Sequence, residues 1–152
     1  MIRRFGEPRK QDIRYRHRPG AYVILPSGGD LLLTRQEGEE SELQLPGGGI
    51  DPGESPVQAL HREVMEETGW CISRPRHLVI YRRFAWLPDY KFWAEKLCHI
   101  YVASPVRPHG PPSEPGHEAL WMNAREATRT LTNEGDAFAV TQWVQAGAHP
   151  PR

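Results

Sequence analysis

The sequence predicts an α/β fold of the α+β kind, a mixed β-sheet covered by helices, and three observations carry that prediction. Runs rich in Val, Ile, Leu and aromatic residues recur between about three segments of helical period. Two pairs of these runs are joined by connections of hairpin length, which argues against an all-parallel, doubly wound sheet. The chain has 152 residues, 38% of them hydrophobic and 25% charged, which fits one domain with its own core.

In chain order, residues 1–17 form a basic arm and 18–147 the folded domain, with 148–152 as a C-terminal tail. Strands are expected at Ala21–Leu25 and Leu31–Thr34, joined across the turn-rich Pro26-Ser27-Gly28-Gly29-Asp30. Leu43 and Leu45 lead into Pro46-Gly47-Gly48-Gly49, where glycines open backbone conformations closed to other residues, so a loop follows. Ser55 then reads as a helix N-cap, with Pro56 at the first helical position. Val57, Leu60, Val64 and Met65 form the apolar stripe of that helix, and Gly69 stops it.

Leu78–Trp86 and Leu97–Ala103 read as strands flanking the turn Leu87-Pro88-Asp89-Tyr90. Ser104–Gly116 holds five prolines, at 105, 108, 111, 112 and 115, and is expected to be a stiff surface loop without ladder pairing. A strand near Ala119–Met122 follows. Asn123 caps a short helix through Leu131, and Thr132 or Asn133 caps a last one to about Ala146, with Glu134 and Asp136 favouring its dipole.

Several classes drop out. The longest stretch free of Asp, Glu, Lys and Arg, Ala137–Pro151, contains Thr141, Gln142, Gln145, His149 and two prolines, and a membrane span needs ~20 mostly apolar residues. No apolar stretch follows the early arginines, so no secretory signal is read and the cytoplasm is the expected compartment. Cys71 and Cys98 stand apart and read as small buried hydrophobes.

The formal net charge is zero, but unevenly distributed. Residues 1–18 carry seven cations against Glu7 and Asp12, a net +5, while residues 30–67 carry ten carboxylates against Arg35 and Arg62, a net −8. At ~100° per residue, Glu63, Glu66 and Glu67 lie at about 0°, −60° and +40°, on one helix face. Like charges so close destabilise a helix. A hard divalent cation such as Mg²⁺ or Mn²⁺, which takes oxygen ligands, would compensate.

Gly48, five residues, Glu54, seven residues, then Arg62-Glu63-Val64-Met65-Glu66-Glu67-Thr68-Gly69-Trp70 resembles the Nudix box, Gx5Ex7REUxEExGU. Trp70 replaces the usual small aliphatic residue, a change expected to alter packing beneath the helix more than chemistry. Arg18-Pro19-Gly20-Ala21, Leu31–Arg35, Leu43–Gly48 and Glu118–Trp121 resemble the flanking strands of Nudix hydrolases. The resemblance implies an α/β/α sandwich with a mixed sheet. It also implies metal-dependent hydrolysis of a pyrophosphate bond in a nucleoside diphosphate linked to another moiety.

On that resemblance Glu63, Glu66 and Glu67 hold Mg²⁺ or Mn²⁺, with the Gly48 carbonyl as a further ligand. Arg62 and Glu54 pair across loop and helix. Gly47 and Gly48 offer backbone to the substrate, and Arg35 contacts phosphate. The general base is a box glutamate, Glu66, or a later carboxylate; of Glu118 and Glu114, Glu118 is favoured by its place before the strand of Trp121. Tyr22, Tyr81, Phe84, Trp86, Tyr90, Trp93 and Trp121 are candidates for base stacking, each more often a core residue. The histidines, His117 included, show no metal-binding spacing and are read as structural.

Size alone favours a nucleoside triphosphate, oxidised ones included, as the small-molecule substrate, with no membrane partner. The alternatives are hydrolysis at the 5′ end of RNA, with the arm tracking the phosphate backbone, and a non-catalytic nucleotide-binding module. A mobile surface tail is the first reading of the arm. Oligomeric state does not follow from the sequence.

Overall fold

The computed structural model describes residues 1–147, so the tail expected at 148–152 lies outside the described residues. In chain order the elements are β1 (Arg3–Gly6), β2 (Arg16–His17), β3 (Gly20–Ile24), β4 (Pro26–Ser27), β5 (Asp30–Gln36), β6 (Glu42–Gln44) and β7 (Gly47–Gly49). Then come α1 (Pro56–Thr68), β8 (Trp70–Ile72), β9 (Arg76–Leu87), β10 (Phe92–Val102), β11 (Pro105–Pro108), β12 (His117–Asn123), α2 (Ala124–Thr130) and α3 (Glu134–Gln145).

The largest sheet runs β1-β9-β10-β3-β7, with β2 also on β10, and is mixed: β10 is antiparallel to β9 but parallel to β3. A second sheet runs β12-β5-β4, with β6 also on β5. Side-chain alternation along β3 sorts the core into two layers. Ala21 and Val23 pack with Leu60 and Val64 of α1, whereas Ile24 packs with Ala139, Val140 and Trp143 of α3. The mixed α+β architecture expected from the sequence is therefore present, with helices on both faces. No described helix is long and apolar enough to cross a membrane.

The end of α1 that carries the acidic face is fixed by local rules. Ser55 and Gln58 form a reciprocal capping box, Pro56 occupies the first turn, and Gly69 caps the C-terminus at φ 76°, a left-handed conformation costly for other residues. The caps expected at Asn123 and Asn133 are both present.

Two expectations are corrected. The proline-rich stretch does pair: Pro105, Arg107 and Pro108 of β11 lie opposite Ile72, Cys71 and Trp70 of β8. Proline is tolerated there because this is a short two-stranded ladder with a register shift between Pro105 and Arg107, where few amide donors are required. The arm is not a free tail at its start. Arg3–Gly6 runs parallel to β9, with Phe5 edge-on to Tyr81 at 5.7 Å and tilted against Phe138 at 5.1 Å.

Asp136 does more than favour a helix dipole. It is buried, accepts from the Tyr81 hydroxyl at 2.7 Å and from the Leu45 amide at 3.2 Å, and so ties α3 to β9 and to the segment entering the glycine turn. Burial raises its pKa above the ordinary value. Cys71 and Cys98 are both free thiols; Cys98 is buried, as expected, whereas Cys71 is only half-buried. Phe5→Ala should lower stability by roughly 2 kcal/mol in urea unfolding, less than for a fully buried phenylalanine; an unchanged midpoint would mean that the arm is loose in solution.

Candidate functional site

Helix α1, the glycine turn and the proline-rich loop meet at one edge of a cavity of about 280 Å³. The glycine turn can approach the helix only without side chains. Gly47 has φ 144° and a Cβ there would collide with Ala21, while a Cβ at Gly48 would lie 2.6 Å from the Glu63 carboxyl carbon. Strand β7 is thereby held against β3, with Gly48 opposite Ala21.

Arg62 organises the acidic residues. Its Nε donates to Glu54 at 2.9 Å and its Nη2 to the other Glu54 oxygen at 2.7 Å, a bidentate pair. The guanidinium also reaches Glu63 at 3.0 Å, Glu66 at 3.5 Å, Asp51 at 3.3 Å and the Gly49 carbonyl at 3.3 Å. These bonds, with a further one from the Asp51 amide, lower the Glu54 pKa to about 2.

Glu67 is buried, and its Oε1 accepts from the Gly47 amide at 3.1 Å. Its other oxygen lies 3.7 Å from Nδ1 of His117, and that same nitrogen is 3.0 Å from the Thr34 hydroxyl. Burial pushes the Glu67 pKa well up, against the opposing effect of the Gly47 amide, and burial raises Glu63 despite Arg62.

Carboxylate oxygens of Glu63, Glu66 and Glu114 all lie within 4.8 Å of one another. Glu114 arrives on the proline-rich loop, which is docked on the end of α1: the Ser113 and Glu114 amides both donate to the Glu66 carbonyl at 2.9 Å, and the His109 amide to Gly69 at 2.7 Å. Three hard oxygen donors of this kind, beside a buried fourth carboxylate at Glu67, fit a divalent cation such as Mg²⁺ or Mn²⁺.

The expected residues are therefore only partly brought together. Glu63, Glu67, Gly47 and Gly48 line the cavity, Glu66 adjoins Glu63, and Glu54 and Arg62 stand behind them. Glu118 does not join this group: it is exposed and faces Arg35 across β5 and β12 at 4.0 Å, and neither lines the cavity. Strand alternation separates Glu118 from His117, which points inward. Glu114, which the sequence reading sets behind Glu118, lies with Glu63 and Glu66, and His117, read as structural, lines the cavity beside Glu67. Of the aromatic candidates, Tyr22 and Tyr90 line the cavity; Tyr81 and Phe84 are buried. Trp86 packs on Trp93 at 5.8 Å and Trp121 edge-on to Trp70 at 5.7 Å, away from it.

Fold and site together define a carboxylate-lined α/β/α sandwich with a glycine turn at the mouth of its cavity. The NUDIX domain model matches residues 16–144, and the chain belongs to that family. It is 36% identical over 120 residues to a CMP-5′-(N-acetyl-N-hydroxy-3-aminopropyl)phosphonate hydrolase of Streptomyces rubellomurinus, covering 74% of this chain and 55% of that protein. It is 36% identical over 64 residues to a putative 8-oxo-dGTP diphosphatase of Bacillus subtilis, covering 42% and 43%. An RNA pyrophosphohydrolase of Yersinia pestis is 47% identical over 54 residues, 35% and 30% of the two chains. The chain thus spans about half or less of the length of these curated relatives. Among solved structures, a Nudix hydrolase from Nitrosomonas europaea superposes with a TM-score of 0.70 at 21% identity, covering 90% of this chain and 93% of that one. A MutT Nudix hydrolase from Burkholderia pseudomallei gives 0.69 at 24%, covering 84% and 98%.

The Glu54–Arg62 pair has a defined pH signature. The folded Glu54 titrates near 2 against an ordinary 4.5, so its contribution to stability is complete above 4.5 and is lost as pH falls toward 2. Thermal melts from neutral pH downward should show the wild type above Glu54→Gln, with the margin shrinking below 4.5; a margin constant with pH contradicts the pairing.

Proposed function

We propose that this protein is a metal-dependent hydrolase that cleaves a pyrophosphate bond in a nucleoside diphosphate linked to another moiety, with water attacking phosphorus. The observation that carries the reading is the convergence of Glu63, Glu66 and Glu114 at the mouth of a cavity that the glycine turn also lines. A nucleoside triphosphate, oxidised ones included, is the favoured substrate, in keeping with the 8-oxo-dGTP diphosphatase name of one relative.

Glu63, Glu66, Glu67 and Glu114 would hold the cation, Mg²⁺ or Mn²⁺, with the Gly48 carbonyl as a further donor. When bound, it supplies charge neutralisation for phosphoryl oxygens and lowers the pKa of water. The chain does the rest. Arg62, anchored by Glu54, fixes the directions of Glu63 and Glu66. The Gly47 amide holds one Glu67 oxygen, and His117 stands 3.7 Å from the other. Glu66 and Glu114 are half-exposed, at hand to accept a proton from water, and the docked loop keeps Glu114 there. Arg35, exposed and near Glu118, would meet only a substrate group that extends beyond the cavity.

A second reading, cleavage at the 5′ end of RNA, draws on the relative of that name and on the arm. Arg9, Lys10 and Arg16 of the arm, and Arg18 just after it, lie over the rings of Tyr15, Trp93, Phe92 and Tyr90. Lys10, Arg16 and Arg18 are thus fixed to the β9–β10 hairpin, Arg9 stays on Tyr15 of the arm, and the row leads to the cavity at Arg18.

Purified protein with Mg²⁺ should release a nucleoside monophosphate or phosphate products from some member of a panel of nucleoside diphosphate derivatives, nucleoside triphosphates and 5′-triphosphorylated RNA. Glu67→Gln should abolish turnover. Glu114→Gln should lower kcat on the order of 10²-fold, a larger loss than Glu118→Gln. No turnover on any member overturns the enzyme reading; a larger loss in Glu118→Gln reinstates Glu118 as the acting carboxylate.

A further inference from the structure

The cavity has a second electrostatic feature, remote in sequence from the acidic helix. Arg83 of β9 and Lys96 of β10 are direct partners in the antiparallel register, and both line the cavity. Directly opposed residues have Cβ atoms about 5 Å apart on one sheet face, and like charges so placed are destabilising.

Among the described residues no carboxylate oxygen lies within 4.0 Å of either cation. The opposite face of the same two strands does pair its charge, Arg82 lying 3.3 Å from Glu95. Asp136 also lines the cavity and attracts both cations from beyond ion-pair distance, while its two oxygens accept from the Tyr81 hydroxyl and the Leu45 amide. Lys96 lies over the Tyr22 ring at 5.7 Å, and its interaction with Tyr22 keeps its pKa above the ordinary lysine value, so it is charged at neutral pH. A third cation, Arg18, lines the cavity, with its guanidinium 3.3 Å from the Tyr90 hydroxyl.

A half-buried, like-charged cross-strand pair that, among the described residues, has no carboxylate within 4.0 Å is a cost to folding. We propose that Arg83 and Lys96 form an anion receptor in the substrate cavity, one that holds a phosphate-type oxyanion of the substrate without help from a divalent cation. Arginine supplies a planar fork of donors that matches two oxygens of a phosphate, and lysine a mobile point charge for the third. Arg18 adds positive potential where an anion enters.

The inference rests on the proposed function only in taking this cavity as the substrate site. It makes a demand on substrate class: beyond the phosphoryl group that meets the carboxylates, the substrate carries an oxyanion that reaches β9 and β10. That oxyanion belongs either to the phosphate chain or to a phosphate ester on the nucleoside.

Calorimetric titration in excess EDTA tests the receptor with no turnover. Inorganic pyrophosphate and dGTP should bind the wild-type chain, and deoxyguanosine should bind far more weakly. Arg83→Met and Lys96→Met should each weaken anion binding roughly tenfold or more, while Arg82→Met, on the opposite face, should not. Melts of the unliganded variants should show both still folded, so that a loss of binding reports on the receptor and not on unfolding. Preference for dGTP over deoxyguanosine 3′-monophosphate places the oxyanion on the phosphate chain, and the reverse places it on the nucleoside.

Absence of anion binding in EDTA, or equal binding by Arg83→Met, Lys96→Met and the wild type, overturns the proposal. Anion binding without turnover of any nucleotide would remove the hydrolase reading alone. Turnover without metal-independent binding would remove the receptor alone.

Discussion

Glu54, Glu63, Glu66 and Asp51 repel one another, and that repulsion is opposed by a single side chain, Arg62, whose guanidinium contacts all four. The geometry is possible because Arg62 is on the same helix as two of its partners and faces the loop that bears the other two. Its bond to the Gly49 carbonyl extends the same tether to the glycine turn. Without this cation the acidic face of α1 would be an electrostatic fault in the helix, and the loop from Gly47 to Glu54 would keep only the Glu67 bond at its start as a charged anchor. With it, carboxylates remain available on the cavity side while their mutual repulsion is held in check.

The fold supplies what Arg62 cannot. Glu67 approaches β7 closely because residues 47 and 48 lack side chains, and β7 is held by its ladder to β3 and by the Leu45 to Asp136 bond at the entry to the turn. The proline-rich loop is fixed in the same manner, by two amides on one carbonyl of α1. The site is thus assembled from three segments, each positioned by backbone hydrogen bonds. The cavity that results carries charge of both signs, carboxylates from the helix and loop, and cations from β9 and β10.

Much of this was legible in the sequence because it depends on local rules. Helical period put three glutamates on one face, Ser55, Pro56 and Gly69 bounded the helix, and the spacing from Gly48 to Trp70 identified the family. What escaped depends on long-range contact. Glu114 and Glu118 are four residues apart, and nothing local reveals that β12 turns Glu118 outward while the loop before it closes on α1. His117 has no metal-ligand spacing because its partners, Glu67 and Thr34, are on other elements. Arg83 and Lys96 become neighbours only through the register of a hairpin whose strands run longer than their hydrophobic runs suggest. The pairing of β11 was hidden for the opposite reason, since five prolines argue against a ladder and only a short edge with a register shift accommodates two of them.

The central claim is that the carboxylates braced by Arg62 are a cation site. Titration of Mn²⁺ or Mg²⁺ into the substrate-free chain, followed by calorimetry, tests it most directly. Saturable binding is expected, and Glu63→Gln, Glu66→Gln and Glu114→Gln should each weaken it by roughly tenfold or more. Binding that is absent, or that survives all three substitutions unchanged, would contradict that claim.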